Sequence, residues 1–197
     1  ILFVDEIHRL YKNIEEILYP AMESGVLDII IGKGPSARTI QLDLPAFTLL
    51  GATTKIAMMS SPLRSRFSGG VFKLEFYTEE EIERIIKQSA EKLSINIEES
   101  AMSEIALRSR FTPRTANYFL KRCRDYAEVH ETPVNKEAVL SALNLIGVDN
   151  LGLRQVDREV LEAIIIKFKG GPVGLKTVAT ATHEEEASIE TVIEPYL

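Results

Sequence analysis

Two continuous apolar runs constrain the fold of this chain most strongly. Residues 1–4 are followed by two acids, Asp5 and Glu6, and residues 47–52 are followed by two threonines. Fully apolar strands are typical of sheets that are covered on both faces, as in α/β proteins. Ligands of open α/β sheets bind outside the carboxyl ends of the strands. The pattern therefore predicts an α/β domain whose site lies where these two runs end.

The rest of the first segment completes this domain. Helical spacing of apolar residues predicts a helix over residues 14–23. Two β-rich runs, residues 27–31 and 38–44, flank a Gly/Pro/Ser cluster at residues 32–37 and predict a β-hairpin. Residues 71–76 are predicted to form a third buried strand.

The second segment is predicted to be all-helical. Thr78 and Glu81 have the spacing of a capping box, which predicts a helix from there to about Leu93. Thr112 is a predicted N-cap before a proline at the first helical position, and Asn135 is a second predicted N-cap. The three further helices are predicted over residues 98–108, 113–129 and 135–146.

The third segment follows a predicted linker at residues 148–153. Helices are predicted over residues 157–168, 174–181 and 184–194. Three short helices in about forty residues are typical of a helix-turn-helix or winged-helix unit.

Composition excludes several classes of protein. The lone Cys123 excludes an internal disulfide and most cysteine-based metal sites. No run approaches the roughly 20 apolar residues of a membrane span. With 23 Lys and Arg against 29 Asp and Glu, no segment is a basic arm, so any nucleic-acid contact must use a few placed cations. Lys167, Lys169 and Lys176 are candidates for such contacts, although scattered surface lysines explain them better.

The residues after the apolar runs have side chains suited to binding and hydrolysing a nucleotide. Asp5 and Glu6 at the end of a strand can hold Mg²⁺ and polarise a water molecule. Thr53 and Thr54 can direct a hydroxyl at the same γ-phosphate, and residues 61–67 add two guanidinium groups suited to phosphate oxygens. Taken singly, each motif is explained better by turns, caps or solvated arginines. Their order and spacing favour a common site.

Two families share the tetrapeptide Asp5-Glu6-Ile7-His8. It is the Walker B strand of AAA+ ATPases and also the signature of DExH-box helicases. A DExH-box helicase needs a second RecA-like lobe downstream, whereas residues 78–197 are predicted to be helical. His8 itself has no predicted metal ligands around it and is interpreted as structural or as a local switch.

Over essentially its full length, the sequence resembles the RuvB family, the AAA+ motor of Holliday-junction branch migration. The matching motifs are Asp5-Glu6-Ile7-His8-Arg9-Leu10, Leu18-Tyr19-Pro20-Ala21-Met22-Glu23, Gly51-Ala52-Thr53-Thr54, Ser61-Pro62-Leu63-Arg64-Ser65-Arg66-Phe67, Thr112-Pro113-Arg114, Gly170-Gly171-Pro172-Val173-Gly174-Leu175 and Glu194-Pro195-Tyr196-Leu197. The resemblance implies an AAA+ core of P-loop NTPase type at residues 1–77, a small helical lid at 78–150 and a winged-helix domain at 151–197.

The resemblance also implies roles for individual residues. Asp5 would support Mg²⁺ and Glu6 would orient or deprotonate the attacking water. Thr54 would be the sensor-1 residue, with Thr53 as the alternative. Arg66 would be the arginine finger that reaches into the site of a neighbouring subunit.

In the second segment, the implied nucleotide-binding residues are Arg114, as sensor 2, with Pro113 and Tyr77. Arg114 is predicted to lie in the first turn of a helix, where a cation opposes the helix dipole, and this hints at a use outside the helix.

The implied cofactors and partners are those of a DNA motor. ATP and Mg²⁺ would be the cofactors of a homo-hexameric ring that acts on Holliday-junction DNA in the bacterial cytoplasm, with no membrane association. The hairpin, through Ile29, Ile31 and Ile40, would dock on the junction-binding partner RuvA; the alternative is that it packs on its own domain. DNA contact is expected from the wing, because the helix predicted to begin at residue 183 opens with three glutamates.

The P-loop is missing from the sequence. None of the 11 glycines begins a Gly-x-x-x-x-Gly-Lys-Ser/Thr motif. Gly147 and Gly152 have the required spacing, but Leu153 follows them where the motif needs a lysine. The chain is therefore predicted to be a fragment that lacks the Walker A region and the wing, with at most half of an ATPase site. A non-catalytic DNA-binding or scaffold module is the alternative function.

Overall fold

The computed structural model describes residues 1–32 and 38–197. Most of the predicted turn of the hairpin, residues 33–37, lies outside the described residues. Contacts divide the chain into two compact units, Ile1–Lys73 and Leu74–Leu197.

The first unit is a small α/β structure. Its strands and helices, in chain order, are β1 (Leu2–Val4), α1 (Lys12–Ser24), β2 (Val26–Ile31), β3 (Arg38–Asp43), β4 (Leu49–Gly51) and α2 (Ser61–Ser65). β1 and β4 pair in parallel, with Val4 opposite Gly51. β2 and β3 pair antiparallel, with Ile29 opposite Ile40, so the predicted hairpin is confirmed.

Two sequence predictions for this unit are wrong. Residues 71–76 form no strand, and Phe72 and Leu74 are largely exposed. A β-rich composition forms a strand only beside a strand with which it can pair, and within the described residues the two sheets are the pairs β1–β4 and β2–β3. The β1–β4 sheet is also not covered on both faces, since Phe3 and Leu50 remain about half exposed.

The second unit is helical. Its helices are α3 (Glu79–Lys92), α4 (Glu99–Arg108), α5 (Pro113–Val129), α6 (Lys136–Leu145), α7 (Gln155–Glu162), α8 (Leu175–Thr182) and α9 (Glu186–Ser188). Wider π-helical turns continue α7 through Ala163–Lys167 and α9 through Ile189–Ile193. The predicted helices of the second and third segments are thus confirmed.

Local capping rules explain where several of these helices begin. The Thr78 hydroxyl accepts from the amide of Glu81, and the Glu81 carboxylate accepts from the amide of Thr78, which completes the predicted capping box. Asn135 caps α6 through the amide of Ala138. Thr112 precedes α5 as predicted, but its hydroxyl lies 3.2 Å from the carbonyl oxygen of Ser109 instead of capping a helical amide.

Two hydrophobic cores stabilise the second unit. The first lies among α3–α6 and includes the fully buried Ile86, Ile105 and Leu120. The second lies among α7–α9 and is built on Val160, Val178, Ile189 and Ile193. Among the described helices, none is both long and apolar enough to cross a membrane.

The predicted linker at residues 148–153 is an ordered turn. Val148 and Leu153 are buried, and the Asp149 carboxylate accepts 2.9 Å hydrogen bonds from the amides of Leu151 and Leu153. A polar side chain that accepts hydrogen bonds from nearby backbone amides in this way fixes the conformation of the turn.

Candidate active site

The ends of β1 and β4 bring three of the predicted catalytic residues, Asp5, Glu6 and Thr54, together. The amide of Ala52 donates to the carbonyl of Val4, and the amide of Ile7 donates to the carbonyl of Ala52, both at 2.9 Å. These bonds continue the pairing beyond the strands. Asp5 and Glu6 are therefore held beside the residues that follow β4.

The Glu6 carboxylate is the centre of a polar network. Thr54 donates its hydroxyl to Glu6 Oε2 at 3.3 Å, and His8 Nδ1 lies 3.1 Å from the same oxygen. Thr53 is engaged differently: its Oγ1 lies 2.8 Å from His8 Nδ1 and accepts from the amide of Lys55. The structure thus brings Thr54, rather than Thr53, into contact with Glu6.

The backbone of Glu6 is strained. Its φ of 48° and ψ of 45° lie in the left-handed region, which costs a residue with a Cβ about 1–2 kcal/mol. The Oδ1 atom of Asp5 accepts from the Glu6 amide at 2.9 Å. Such conformations persist where surrounding contacts impose them, and they concentrate at functional sites.

Asp5 has chemistry that fits a magnesium ion bound with a nucleotide. Its carboxylate is exposed, and Mg²⁺ in nucleotide sites is commonly held by one or two carboxylates together with water and phosphate oxygens. Among the described residues, no group of three His, Cys, Asp or Glu side chains is arranged to hold a metal ion. Asp5 could therefore support Mg²⁺ only in company with phosphate.

A small core lies behind this edge of the sheet. Ile7 and Leu63 are fully buried there, with Phe67 packed against them. Gly51 makes that packing possible, because a Cβ at this position would lie 2.9 Å from Ile7 Cδ1 and 3.2 Å from Phe67 Cζ.

We expect Gly51→Ala to destabilise the first unit by about 1–3 kcal/mol, since the added methyl group overpacks a filled core. Urea unfolding followed by circular dichroism measures the change. Gly69→Ala is the matched control, because nothing lies within 4 Å of a Cβ at that position. Equal stability of the two variants would contradict the tight packing around Gly51.

Arg66 follows α2 and is folded back onto its own unit. Its guanidinium contacts the Glu23 carboxylate at 2.8 Å, donates to the carbonyl of Pro62 at 2.7 Å and lies 4.3 Å from the centre of the Tyr19 ring. The Nε atom is buried and has no hydrogen-bond partner among the described residues. Every one of these contacts is internal to the first unit.

Sequence reasoning missed the residues that fix the N-terminus of α2. Ser60 caps this helix, and its hydroxyl donates to the buried carboxylate of Glu15. Tyr19 donates its hydroxyl to the same Glu15 oxygen at 3.0 Å, while its ring supports Arg66. Glu15 and Ser60 are 45 residues apart, and no local pattern marks them as partners.

The β2–β3 hairpin exposes an apolar face. Ile29 and Ile40 are paired across the strands, and Ile31 shares the face of Ile29. All three are exposed, with Ile31 the most at 54%.

The predicted nucleotide-binding residues of the second unit surround one turn. Pro113 and Arg114 begin α5, and Arg114 is exposed with no hydrogen bond or ion pair among the described residues. The amide of Tyr77 donates to the carbonyl of Phe111 at 3.4 Å. Arg110 and Phe111 have φ values of 56° and 52°, so two successive residues with side chains are left-handed.

The three lysines predicted as candidate DNA contacts are all exposed, but the ammonium group of Lys167 is already hydrogen-bonded within the chain. Lys167 donates its ammonium to the carbonyl of Ala181 at 2.8 Å. The predicted helix at residue 184 begins instead at Glu186, after a left-handed His183.

Comparison with known proteins gives one family for all three segments. Residues 1–74 match the Holliday junction DNA helicase RuvB P-loop domain, residues 77–149 match the RuvB AAA lid domain, and residues 150–197 match the RuvB C-terminal winged helix domain.

Solved structures agree. A lysine-to-arginine mutant of RuvB from Thermotoga maritima is 43% identical with a TM-score of 0.81, and a proline-to-glycine mutant is 42% identical with a TM-score of 0.82. The structure described as the Thermotoga maritima RuvB Holliday junction branch migration motor is 42% identical with a TM-score of 0.80. Each match covers 100% of this chain, which spans 61%, 62% and 61% of the three relatives, respectively.

Proposed function

Because this chain belongs to the RuvB family, we propose that it is part of an ATP-driven motor subunit that moves Holliday junctions during DNA recombination and repair. The observation that carries the proposal is the 3.3 Å contact between Thr54 and the Glu6 carboxylate at the ends of two paired parallel strands. A carboxylate held by a hydroxyl beside a second carboxylate is suited to activating water next to a phosphate.

In the proposed mechanism, Glu6 orients or deprotonates the attacking water, and Asp5 would hold the Mg²⁺ that accompanies ATP. The ion would neutralise charge that develops on the phosphate oxygens. Thr54 donates to Glu6, and the same hydroxyl can donate to a γ-phosphate instead. That exchange would release the Glu6 carboxylate for water when ATP is present.

Arg66 completes the proposed site in trans, within a homo-hexameric ring. Its ion pair with Glu23 is partly exposed, and such pairs contribute about 1 kcal/mol or less. The ion pair with Glu23 is therefore a small part of what holds Arg66, and a move to the phosphate of a neighbouring subunit must also break its hydrogen bond to Pro62 and its contact with the Tyr19 ring. Arg114, with Pro113 and Tyr77, is proposed to report the state of the nucleotide to the lid.

The proposed partners are Holliday-junction DNA and RuvA. The exposed face of Ile29, Ile31 and Ile40 supports a docking role for the hairpin, since apolar faces of this kind commonly bind proteins. The proposed compartment is the bacterial cytoplasm, where the DNA substrate lies.

Branch migration of a synthetic four-way junction tests the function. The assay uses a protein in which a P-loop segment precedes residue 1 and a wing follows residue 197, which we name the P-loop form. We expect ATP-dependent separation of the junction into duplexes, whereas residues 1–197 alone, which contain no P-loop motif, turn over no ATP. DNA binding by the P-loop form without ATP turnover would instead identify a scaffold module.

A further inference from the structure

The lid and winged-helix segments of the second unit have separate hydrophobic cores. The core of α3–α6 and the core of α7–α9 have no buried residue in common among those that the structure describes. Contacts nevertheless place both segments in one compact unit. Something other than a shared apolar core must therefore hold them together.

A cluster of three side chains, Arg110, Asp157 and Tyr196, joins the two segments, and we name it the Arg110 junction. The Arg110 guanidinium forms an ion pair with Asp157, whose side chain is completely buried. The same Asp157 oxygen accepts from the amide of Arg154 at 2.7 Å. A buried carboxylate paired in this way constrains its partner, since separating the pair leaves the buried charge with only the Arg154 amide and the more distant Arg154 guanidinium, 3.7 Å away.

Tyr196 covers the other face of Arg110. Its ring centre lies 4.4 Å from the guanidinium carbon, and its hydroxyl donates to the carbonyl of Leu151 at 2.7 Å. The adjacent Gly152 has no room for a side chain: a Cβ there would lie 2.6 Å from the Tyr196 hydroxyl and 3.0 Å from the backbone of Arg108. The turn at residues 149–153 is thus packed directly against the end of α4.

Arg110 lies in the turn that leads into α5. Both Arg110 and Phe111 are left-handed, a conformation that persists when surrounding contacts impose it. Two carbonyl groups of this turn accept hydrogen bonds: that of Phe111 from the amide of Tyr77, and that of Ser109 from the amide of Thr112. The turn ends two residues before Arg114.

We propose that the Arg110 junction holds the turn at residues 109–112 in its left-handed form and thereby positions Arg114 and Tyr77. In this arrangement the winged-helix segment controls the geometry of the residues assigned to nucleotide sensing. Arg110, Asp157 and Tyr196 are positioning residues, because none of them needs to touch the nucleotide. The effect on nucleotide sensing rests on the proposed roles of Arg114 and Tyr77. The mechanical link, by which the Arg110 junction holds the turn at residues 109–112, does not rest on them.

Hydrogen exchange of residues 1–197 tests the link without any nucleotide. The informative amides are those of Tyr77 and Thr112, whose acceptors belong to the turn. We expect Asp157→Asn to speed their exchange about tenfold or more, because local opening no longer breaks a buried ion pair. Asp125→Asn, which removes a surface carboxylate paired with arginines on α5, is the matched control and leaves both amides unchanged.

Cys123 separates this local release from general unfolding. It is the only cysteine, it is completely buried in the core of α3–α6, and burial raises the pKa of its thiol to about 12. Thiol labelling therefore reports opening of the lid core. We expect its rate in Asp157→Asn to stay within about twofold of the parent rate while exchange in the turn accelerates.

Two results would overturn the link: unchanged exchange of both amides, or equal acceleration of amide exchange and Cys123 labelling. If Asp157→Asn does not fold, Tyr196→Leu provides the test, because it uncovers Arg110 without leaving a buried charge unpaired; the same amides should accelerate, by a smaller factor. In the P-loop form, we expect Asp157→Asn to weaken ATP binding and Asp157→Glu, which keeps the carboxylate charge, to weaken it less. Normal ATP binding together with accelerated exchange would contradict the sensing role while preserving the mechanical link.

Discussion

In the P-loop form, we expect Glu6→Gln to lower ATP hydrolysis strongly and to leave ATP binding nearly unchanged. The amide keeps the size and the hydrogen-bonding reach of the carboxylate but cannot accept the proton of the attacking water. Loss of a positioned general base lowers turnover by about 10²–10⁴-fold. Phosphate release under single-turnover conditions measures the hydrolysis, and equilibrium titration with a fluorescent ATP analogue measures the binding.

The control for this substitution is Glu16→Gln, which makes the same chemical change at an exposed position of α1. It should leave both hydrolysis and binding at the parent values. Thr54→Val provides a second comparison, because it removes the hydroxyl that contacts Glu6 while Asp5 and Glu6 remain. If Glu6→Gln retains more than half of the parent turnover, Glu6 is not the base, and the role assigned to the Thr54 contact fails with it.

Most of the fold could be predicted because its signals are local. The capping box of Thr78 and Glu81 and the N-cap Asn135 each fix a helix start within a few residues. The predicted architecture, an AAA+ core followed by a helical lid and a winged-helix domain, is confirmed by the family matches, which also exclude the DExH-box helicase. The division at residue 150 stays a prediction, since contacts join residues 74–197 in one compact unit.

The features that were missed depend on contacts between distant parts of the chain. The strand predicted at residues 71–76 has the right composition but no partner among the described strands. Arg110 and Asp157 are 47 residues apart, and Ser60 and Glu15 are 45 apart. Neither pair follows a helical or strand period, so periodicity alone could not predict that a buried carboxylate would anchor a turn or a helix cap.

The same contrast explains why the sequence predicts the meeting of Glu6 and Thr54 but not the support of Arg66. Glu6 and Thr54 each follow an apolar strand, and parallel pairing of β1 with β4 brings their ends together. Arg66 is held by Tyr19 and Glu23, two residues of α1, whose spacing indicates only a helix face.

We expect Arg66→Ala to lower ATP turnover of the P-loop form by about 10³–10⁵-fold, the range found for an arginine that stabilises a transferring phosphoryl group. ATP binding should fall little, because the guanidinium contributes mainly to the transition state. The same two measurements as for Glu6→Gln apply. Arg64→Ala is the matched control: this arginine is exposed on α2 and contacts neither Glu23 nor Tyr19 in the described structure.

Mixing the two inactive variants distinguishes a finger that acts in trans from a residue that only stabilises its own subunit. A subunit with Arg66→Ala still has Glu6, and a neighbour with Glu6→Gln still supplies Arg66, so some interfaces in a mixed ring are complete. In randomly mixed rings with head-to-tail interfaces, about a quarter of the sites should regain turnover. If equimolar mixtures that co-assemble stay inactive, Arg66 acts within its own subunit. Its contacts with Glu23 and Tyr19 would then be the ones through which it acts. If Arg64→Ala is inactive while Arg66→Ala is active, the finger is Arg64 instead.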